Sequence, residues 1–236
     1  MLKPQTGAAR EFELEGIVPW GRRFSEYEAF FALADFRFPG TVLDVVAGPS
    51  SFAAEAQARG IKVVAADPLY CYPGEEIERR FELTVEAMRA GMRRAAYRFN
   101  WKHYGSEEGI HRLRREALAL FLANYEAGKR EGRYVTAALP VLPFADGAFG
   151  LALVSHLLFL YGDKLDFAFH LAALRELLRV APEVRVFPLM NLDGLPSSHL
   201  PGVMRTLREE GAEVELVEVP FEFQRGATRM LRARRR

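Results

Sequence analysis

The stretch that decides the fold is "VLDVVAGPSSFAAEAQARGIKVVAADPLY", Val42 to Tyr70. An apolar run leads into a loop of small residues. An alanine-rich segment follows, then a second apolar run that ends in an acidic residue. Apolar runs without alternation belong to strands buried on both faces, the usual state of parallel strands in an α/β sheet. The stretch therefore reads as a strand over Thr41 to Val46, a helix over roughly Ser51 to Arg59 with Gly60 as its C′ residue, and a strand over Lys62 to Ala66. The loop holds one glycine, Gly48, where nucleotide-binding loops of this layout usually hold two or three. A G-x-G-x-x-G loop is missing, which argues against an NAD-binding oxidoreductase.

Working outward from this core, Ser25 and Glu28 form an S-x-x-E pattern that predicts a helix to about Ala34, and Pro39-Gly40 ends that segment. After Tyr70 the pattern departs from a simple βαβ repeat. A crossover needs about a dozen residues, and the connection from about Tyr70 to Gly132 is several times longer. Ile77, Phe81, Val85, Met88 and Met92 recur at helical spacing, as do Ile110, Leu113, Ala117, Leu120, Phe121 and Tyr125. Between them lies "YRFNWKHYG", aromatic and basic. The segment reads as a helical insert laid over the sheet edge, within a single domain spanning 1–236; two ordinary packing helices are the alternative.

Further strands are expected over Tyr134 to Leu139, Leu151 to Ser155 and Val184 to Leu189. Asp163 is expected to cap a helix to about Val180, and Ser197 or Ser198 a short helix with Pro201 in its first turn and Gly211 after it. Glu213 to Pro220 and Thr228 to Ala233 read as an antiparallel hairpin at one sheet edge. The expected fold is α/β and Rossmann-like: a doubly wound, mostly parallel, seven-stranded sheet with a C-terminal antiparallel hairpin and a helical insert.

Half of the 236 residues are hydrophobic and 12% aromatic, enough for a sizeable core. The net charge of +1 gives no bulk attraction to nucleic acid or membrane. The single cysteine, Cys71, excludes an internal disulfide framework and fits a reducing cytoplasmic compartment. "MLKPQTGAAREFELEG" lacks the apolar core of a secretory leader, and no apolar run is long enough to span a membrane. Asp166 and His170 share a helix face, but without a third ligand no metal site is expected. The terminal "RMLRARRR" reads as a solvated basic tail, so nucleic acid is not an expected partner.

Four motifs in order carry a resemblance. "VLDVVAGPS", "VVAADP", "LPFADGAFGLALVSHLLFLY" and "LRELLRVAPEVRVFPLM" resemble the successive motifs of class I S-adenosylmethionine-dependent methyltransferases of the type 11 sort, in an uncharacterised bacterial branch. The resemblance runs from about Phe24 to the C-terminus, apart from the insert. It implies methyl transfer from S-adenosylmethionine to an unidentified small-molecule acceptor. It implies a cofactor site formed by Asp44, Ala47, Gly48, Pro49, Ser50, Asp67 and Pro68, with Leu139 and Ser155 beside it. Asp67 is placed to accept the ribose hydroxyls, and the free N–H groups of the following helix to meet the methionine carboxylate. Arg22 is a second candidate for that carboxylate. His156, directly after the fourth strand, is the candidate general base. Tyr70, Trp101, His103, Tyr104 and Tyr161 are candidates for the acceptor cavity. The chain departs from the family at Val46, Ser50, Ala138, Gly150 and Pro182-Glu183. Those departures keep open the alternative of a non-catalytic methyltransferase-fold protein with weak or lost cofactor binding.

Overall fold

In the computed structural model the described residues are 18–235; the leader reading of the first sixteen residues and Arg236 lie outside them. Seven strands form one sheet: β1 (Val42–Val45), β2 (Val63–Ala66), β3 (Tyr134–Val135), β4 (Leu151–Ser155), β5 (Glu183–Phe187), β6 (Glu213–Glu218) and β7 (Arg229–Arg234). Their order is β3-β2-β1-β4-β5-β7-β6. The first five are parallel, and β7 runs antiparallel to both of its neighbours. From β1 the chain winds outward to β2 and β3, then returns to start β4 beside β1. Right-handed crossovers in opposite directions place the helices on opposite faces. α1 (Phe24–Phe30), α2 (Phe52–Gln57) and α4 (Glu107–Arg130) gather on one, with α3 (Gly74–Arg94) against α4; α5 (Phe167–Val180) and α6 (Leu200–Glu209) pair elsewhere. The sheet is doubly wound, and its direction switches between β1 and β4.

The central strands explain themselves. Val42, Leu43, Val45, Leu151, Leu153 and Val154 are fully enclosed, as two-sided cover demands. The C-terminal hairpin lies at one sheet edge as expected, β6 outermost and β7 between β5 and β6, with Met230, Leu231 and Ala233 buried. The "RMLRAR" segment is thus an inner strand rather than a solvated tail, its arginines paired with Glu215 and Glu183.

Element boundaries shift for identifiable reasons. α1 is capped by Arg23, whose N–H donates to Glu26 Oε2 at 2.8 Å, so the reciprocal acid is Glu26 and not Glu28. It is Asp166 that caps α5, accepting from the Phe169 N–H at 2.8 Å, while Asp163 lies upstream. α6 starts after His199 with no side-chain cap. Leu120, counted on the apolar stripe of α4, is 41% exposed. The insert does form two long helices: α4 packs against β3 and beside α2, and α3 lies on α4.

Gly150 is required by its surroundings: a Cβ there would meet the Pro39 carbonyl oxygen at 1.7 Å. Neither backbone can yield, because the Gly150 N–H also donates to Thr41 O at 2.9 Å. Gly150→Ala is expected to cost at least the roughly 1–3 kcal/mol of a strained overpacked core. A lowered urea midpoint at unchanged slope would report it; an unshifted midpoint would refute the contact.

Candidate functional site

The carboxyl ends of β1, β2 and β4 open onto a cleft of about 630 Å³. Val46, Ala47 and Gly48 of the loop after β1 line it. Val46 adopts φ +59° and Gly48 φ +56°. The left-handed turn that glycine supplies elsewhere is therefore made here by a β-branched residue, at a cost on the order of 1–3 kcal/mol. The valine strains the loop without rerouting it.

Asp67, ending β2, fixes the loop from below. Its Oδ2 accepts the Gly48 N–H at 2.8 Å and its Oδ1 the Leu69 N–H at 2.7 Å. Burial raises its carboxyl to about 6 despite these two backbone donors. One lone pair on each oxygen remains available to the cleft that Asp67 lines. Ala47, Gly48 and Pro68 line the same space.

The segment before α1 forms the opposite lip. A Cβ on Gly21 would strike the Pro49 carbonyl oxygen at 1.9 Å, so only glycine lets the arm lie on the loop. The Arg22 carbonyl then takes the Ser51 N–H at 3.1 Å and the Ser50 Oγ at 2.7 Å, and Ser50 Oγ in turn accepts the Phe52 N–H. This corrects two expectations. The Ser51 and Phe52 N–H groups at the start of α2 are committed within the protein, and Ser50 is buried as a clamp between arm and loop. Arg22 lines the cleft beside this loop. Its Nη1 donates to Trp20 O at 2.8 Å and its Nε has no partner among the described residues. Among the described residues no carboxylate pairs with it. Burial, then the charge of Arg114, lowers its pKa to about 10.

Behind Arg22 lies an inner cavity of about 110 Å³. Val18, Trp20, Arg22 and His156 line both spaces and form the wall between them. Met88 and Met92 of α3 and Ile110 of α4 close one side; Phe187, Phe221 and Phe223 close the other. The insert is tied down by backbone bonds from Asn100 N–H to Phe223 O at 2.6 Å and from Arg225 N–H to Arg98 O at 2.9 Å. A buried ion pair braces it further. Arg114 donates to both oxygens of Glu26 at 2.7 and 2.6 Å, and to Gly21 O and the Tyr104 hydroxyl. Burial would raise the Glu26 carboxyl, but Arg114 prevails and lowers it to about 2.

His156 sits where β4 meets the cavity, at φ +56°. Its Nδ1 lies 2.7 Å from Ser155 Oγ and its ring rests on Phe30 and Phe187. Burial, then Arg22 and Arg114, hold its pKa well below the usual histidine value. It is a neutral imidazole at neutral pH and a weak base.

Other expected site residues are placed differently. Asp44 is fully buried, with the Tyr27 hydroxyl bonded to both oxygens at 3.1 and 3.0 Å; it faces the cleft only through Tyr27. Pro49 and Leu139 are buried outside the cleft lining. Tyr70 is enclosed among Phe121, Tyr125 and Tyr134, and its hydroxyl donates to Gly48 O at 2.7 Å, so it props the loop from outside the cavities. Trp101 packs on Phe99 and Phe223 behind the cavity wall, and His103 faces outward beside Phe221. Tyr104 and Tyr161 do line the cavity. Sequence reasoning missed Arg114 and Glu26. The signal for Arg114 was its position in the Ile110, Ala117, Phe121 stripe, where a charge must find a partner.

No family model matches the chain. It is 32% identical over 227 residues to the uncharacterized protein MJ0045 of Methanocaldococcus jannaschii, covering 96% of this chain and all of that protein. Among solved structures it is similar to TrmN from Thermus thermophilus, at 18% identity and TM-score 0.45 over 89% of this chain and 48% of that one. It is similar to a SAM-dependent methyltransferase from Aquifex aeolicus, at 18% identity and TM-score 0.42 over 89% of this chain and 90% of that one. A TehB-like SAM-dependent methyltransferase from Corynebacterium glutamicum matches at 14% identity and TM-score 0.45 over 88% and 85%. The chain spans about half the length of the first of these structures.

Proposed function

This chain belongs to the family of the uncharacterized protein MJ0045, and we propose that it binds S-adenosylmethionine in the cleft and methylates a small molecule held in the inner cavity. The observation that carries the reading is Asp67. A carboxylate at the end of β2, already fixed by two backbone N–H groups and still able to accept from the cleft, suits a pair of ribose hydroxyls. The residues around it fit the rest of such a ligand. Ala47 and Gly48 let the backbone approach closely. Arg22 supplies a cation with no carboxylate partner among the described residues, suited to the methionine carboxylate. The cleft volume lies in the range of ligand sites.

When bound, S-adenosylmethionine supplies an activated methyl on a sulfonium, so the protein's share is positioning and exclusion of water. Arg22 and His156, in the wall common to cleft and cavity, stand where donor and acceptor would meet. The α3–α4 insert, tied to the β6–β7 connection, acts in this reading as a cap beside the acceptor site.

Thermal unfolding with S-adenosylmethionine or S-adenosylhomocysteine tests the reading. Ligand at about a hundred times its Kd is expected to add roughly 2.7 kcal/mol of stability. No shift with either at millimolar concentration would leave a fold retained without its cofactor.

A further inference from the structure

We infer that the inner cavity takes a single-ring aromatic acceptor carrying an anionic oxygen, a carboxylate or acidic phenol, and not an amine. The inference rests on the methyl-transfer reading above and adds the class of acceptor. Size sets the ring count. At about 110 Å³ the cavity is somewhat smaller than the roughly 150 Å³ engineered void that holds benzene. One ring fits if its polar substituent reaches the shared wall at Arg22 and His156. The surfaces it would touch include Phe99, Phe187, Phe221 and Phe223, which offer the edge-to-face contacts aromatic rings prefer.

Charge and hydrogen-bonding capacity set the substituent. Both oxygens of Glu26 are held by Arg114, so that pair cancels. Arg22 leaves one positive charge in the wall, and the cavity lining contains no carboxylate. The uncommitted polar groups are mostly donors. Trp20 Nε1, Arg22 Nε and Arg114 Nε are buried without partners among the described residues. The Tyr161 hydroxyl accepts the Val18 N–H at 3.3 Å, and its own proton is uncommitted among the described residues. Gln224 is the counter-example: it donates to Asn191 O and keeps a free carbonyl oxygen. The methionine carboxylate assigned to Arg22 is itself matched by the cofactor's ammonium, so the site keeps a net positive charge that a protonated amine would increase. The cofactor sharpens this preference. Its amino-acid end is a zwitterion and its sulfonium adds a second positive charge, so an anionic acceptor brings the site nearer neutrality. In the transfer, a lone pair of the acceptor oxygen forms the O–CH₃ bond. The S–CH₃ pair stays on sulfur as a thioether, and the oxygen's negative and the sulfonium's positive charge are both discharged. No proton moves, which suits a site whose histidine is a weak base.

The test is calorimetric titration of the whole protein, saturated with S-adenosylhomocysteine, with benzoate, benzamide and benzylammonium. Benzoate is expected to bind at least tenfold more tightly than benzamide (about 1.4 kcal/mol), and benzylammonium not measurably. Ala227 lines the cavity but not the cleft. Ala227→Leu is therefore expected to abolish benzoate binding while S-adenosylhomocysteine affinity stays within about twofold; Leu192→Trp at the half-buried rim replaces it should that variant not fold. Absence of benzoate binding, equal or tighter binding of benzamide or benzylammonium, or benzoate affinity unchanged in the folded variant would each overturn the inference. Failure of S-adenosylhomocysteine to bind would instead count against the methyl-transfer reading. The three probes titrated into the ligand-free protein would then still decide the cavity's charge preference.

Discussion

Arg114→Met is expected to lower the unfolding free energy by about 3–5 kcal/mol, the usual result of leaving a buried charge without its partner. Arg114 and Glu26 are each 1% exposed. Their attraction does little more than offset the cost of bringing both out of water, so removing one side leaves a carboxylate with nowhere to discharge. At roughly 2–4 °C per kcal/mol for a chain of this size, Tm should fall by about 6–20 °C. Glu26→Gln added to Arg114→Met removes the stranded charge and should recover at least half of the loss. The pH dependence follows from the same pair. Glu26 is lowered to about 2 in the folded protein, so its stabilisation is present above about pH 4.5 and is lost as pH falls toward 2. Differential scanning calorimetry at pH 7 decides the matter; a Tm within about 3 °C of the parent would mean the pair is solvated and not a brace.

The pair also reaches the site. Arg114 donates to the Gly21 carbonyl at 3.2 Å, and Gly21 is the residue pressed against Pro49. Loss of Arg114 should therefore loosen the arm that carries Trp20 and Arg22. Stability and site geometry are coupled here through one side chain on α4.

What could be read from sequence, and what could not, divides by range. The β1-loop-α2-β2 unit was legible because its signals are local: unbroken apolar runs, a small-residue loop, an acid at the strand end. Asp67 and Gly48 stand where those signals placed them. Asp44 and Tyr70 were misplaced because their roles depend on distant partners. Tyr27 lies 17 residues before Asp44, and the Tyr70 hydroxyl finds a carbonyl 22 residues back. The Arg22 carbonyl capping the loop is 28 residues from Ser50. Nothing in spacing foretells such a bond, which ties the arm before α1 to the loop after β1. The aromatic junction was read as lining an acceptor cavity, but of its candidates Trp101, His103 and Tyr104 only Tyr104 lines it; Phe99 and Trp101 pack on Phe223, which lies beyond four further strands.

Asp67→Ala is expected to weaken binding of S-adenosylmethionine by about ten- to a hundred-fold, the 1.5–3 kcal/mol of charge-assisted hydrogen bonds to the ribose. Its effect on stability is a separate quantity, made of two opposing changes. The variant loses the bonds from Asp67 to the Gly48 and Leu69 N–H groups, each worth on the order of 1 kcal/mol. It also removes a carboxyl that burial holds at about 6, above an unfolded value of about 3.9. Folding takes up a proton at this group between those pH values. The cost of the buried charge is absent below about pH 4 and fully present above about pH 6. At pH 7.5 the two changes nearly offset, so Tm should move little while affinity collapses. Affinity has its own pH dependence. Only the carboxylate offers both ribose hydroxyls charge-assisted bonds, so the parent should bind fully above about pH 7 and weaken below about 6, by no more than the loss in the Ala variant. Asp67→Ala, with nothing to titrate there, should give a flat profile across the same range. Calorimetric titration of both proteins from pH 5 to 8 reads all of this at once. An Ala variant that binds as the parent does, or a parent profile flat through pH 6, would mean that Asp67 serves only to hold the Gly48 loop, and that the ribose reading of this cleft is wrong.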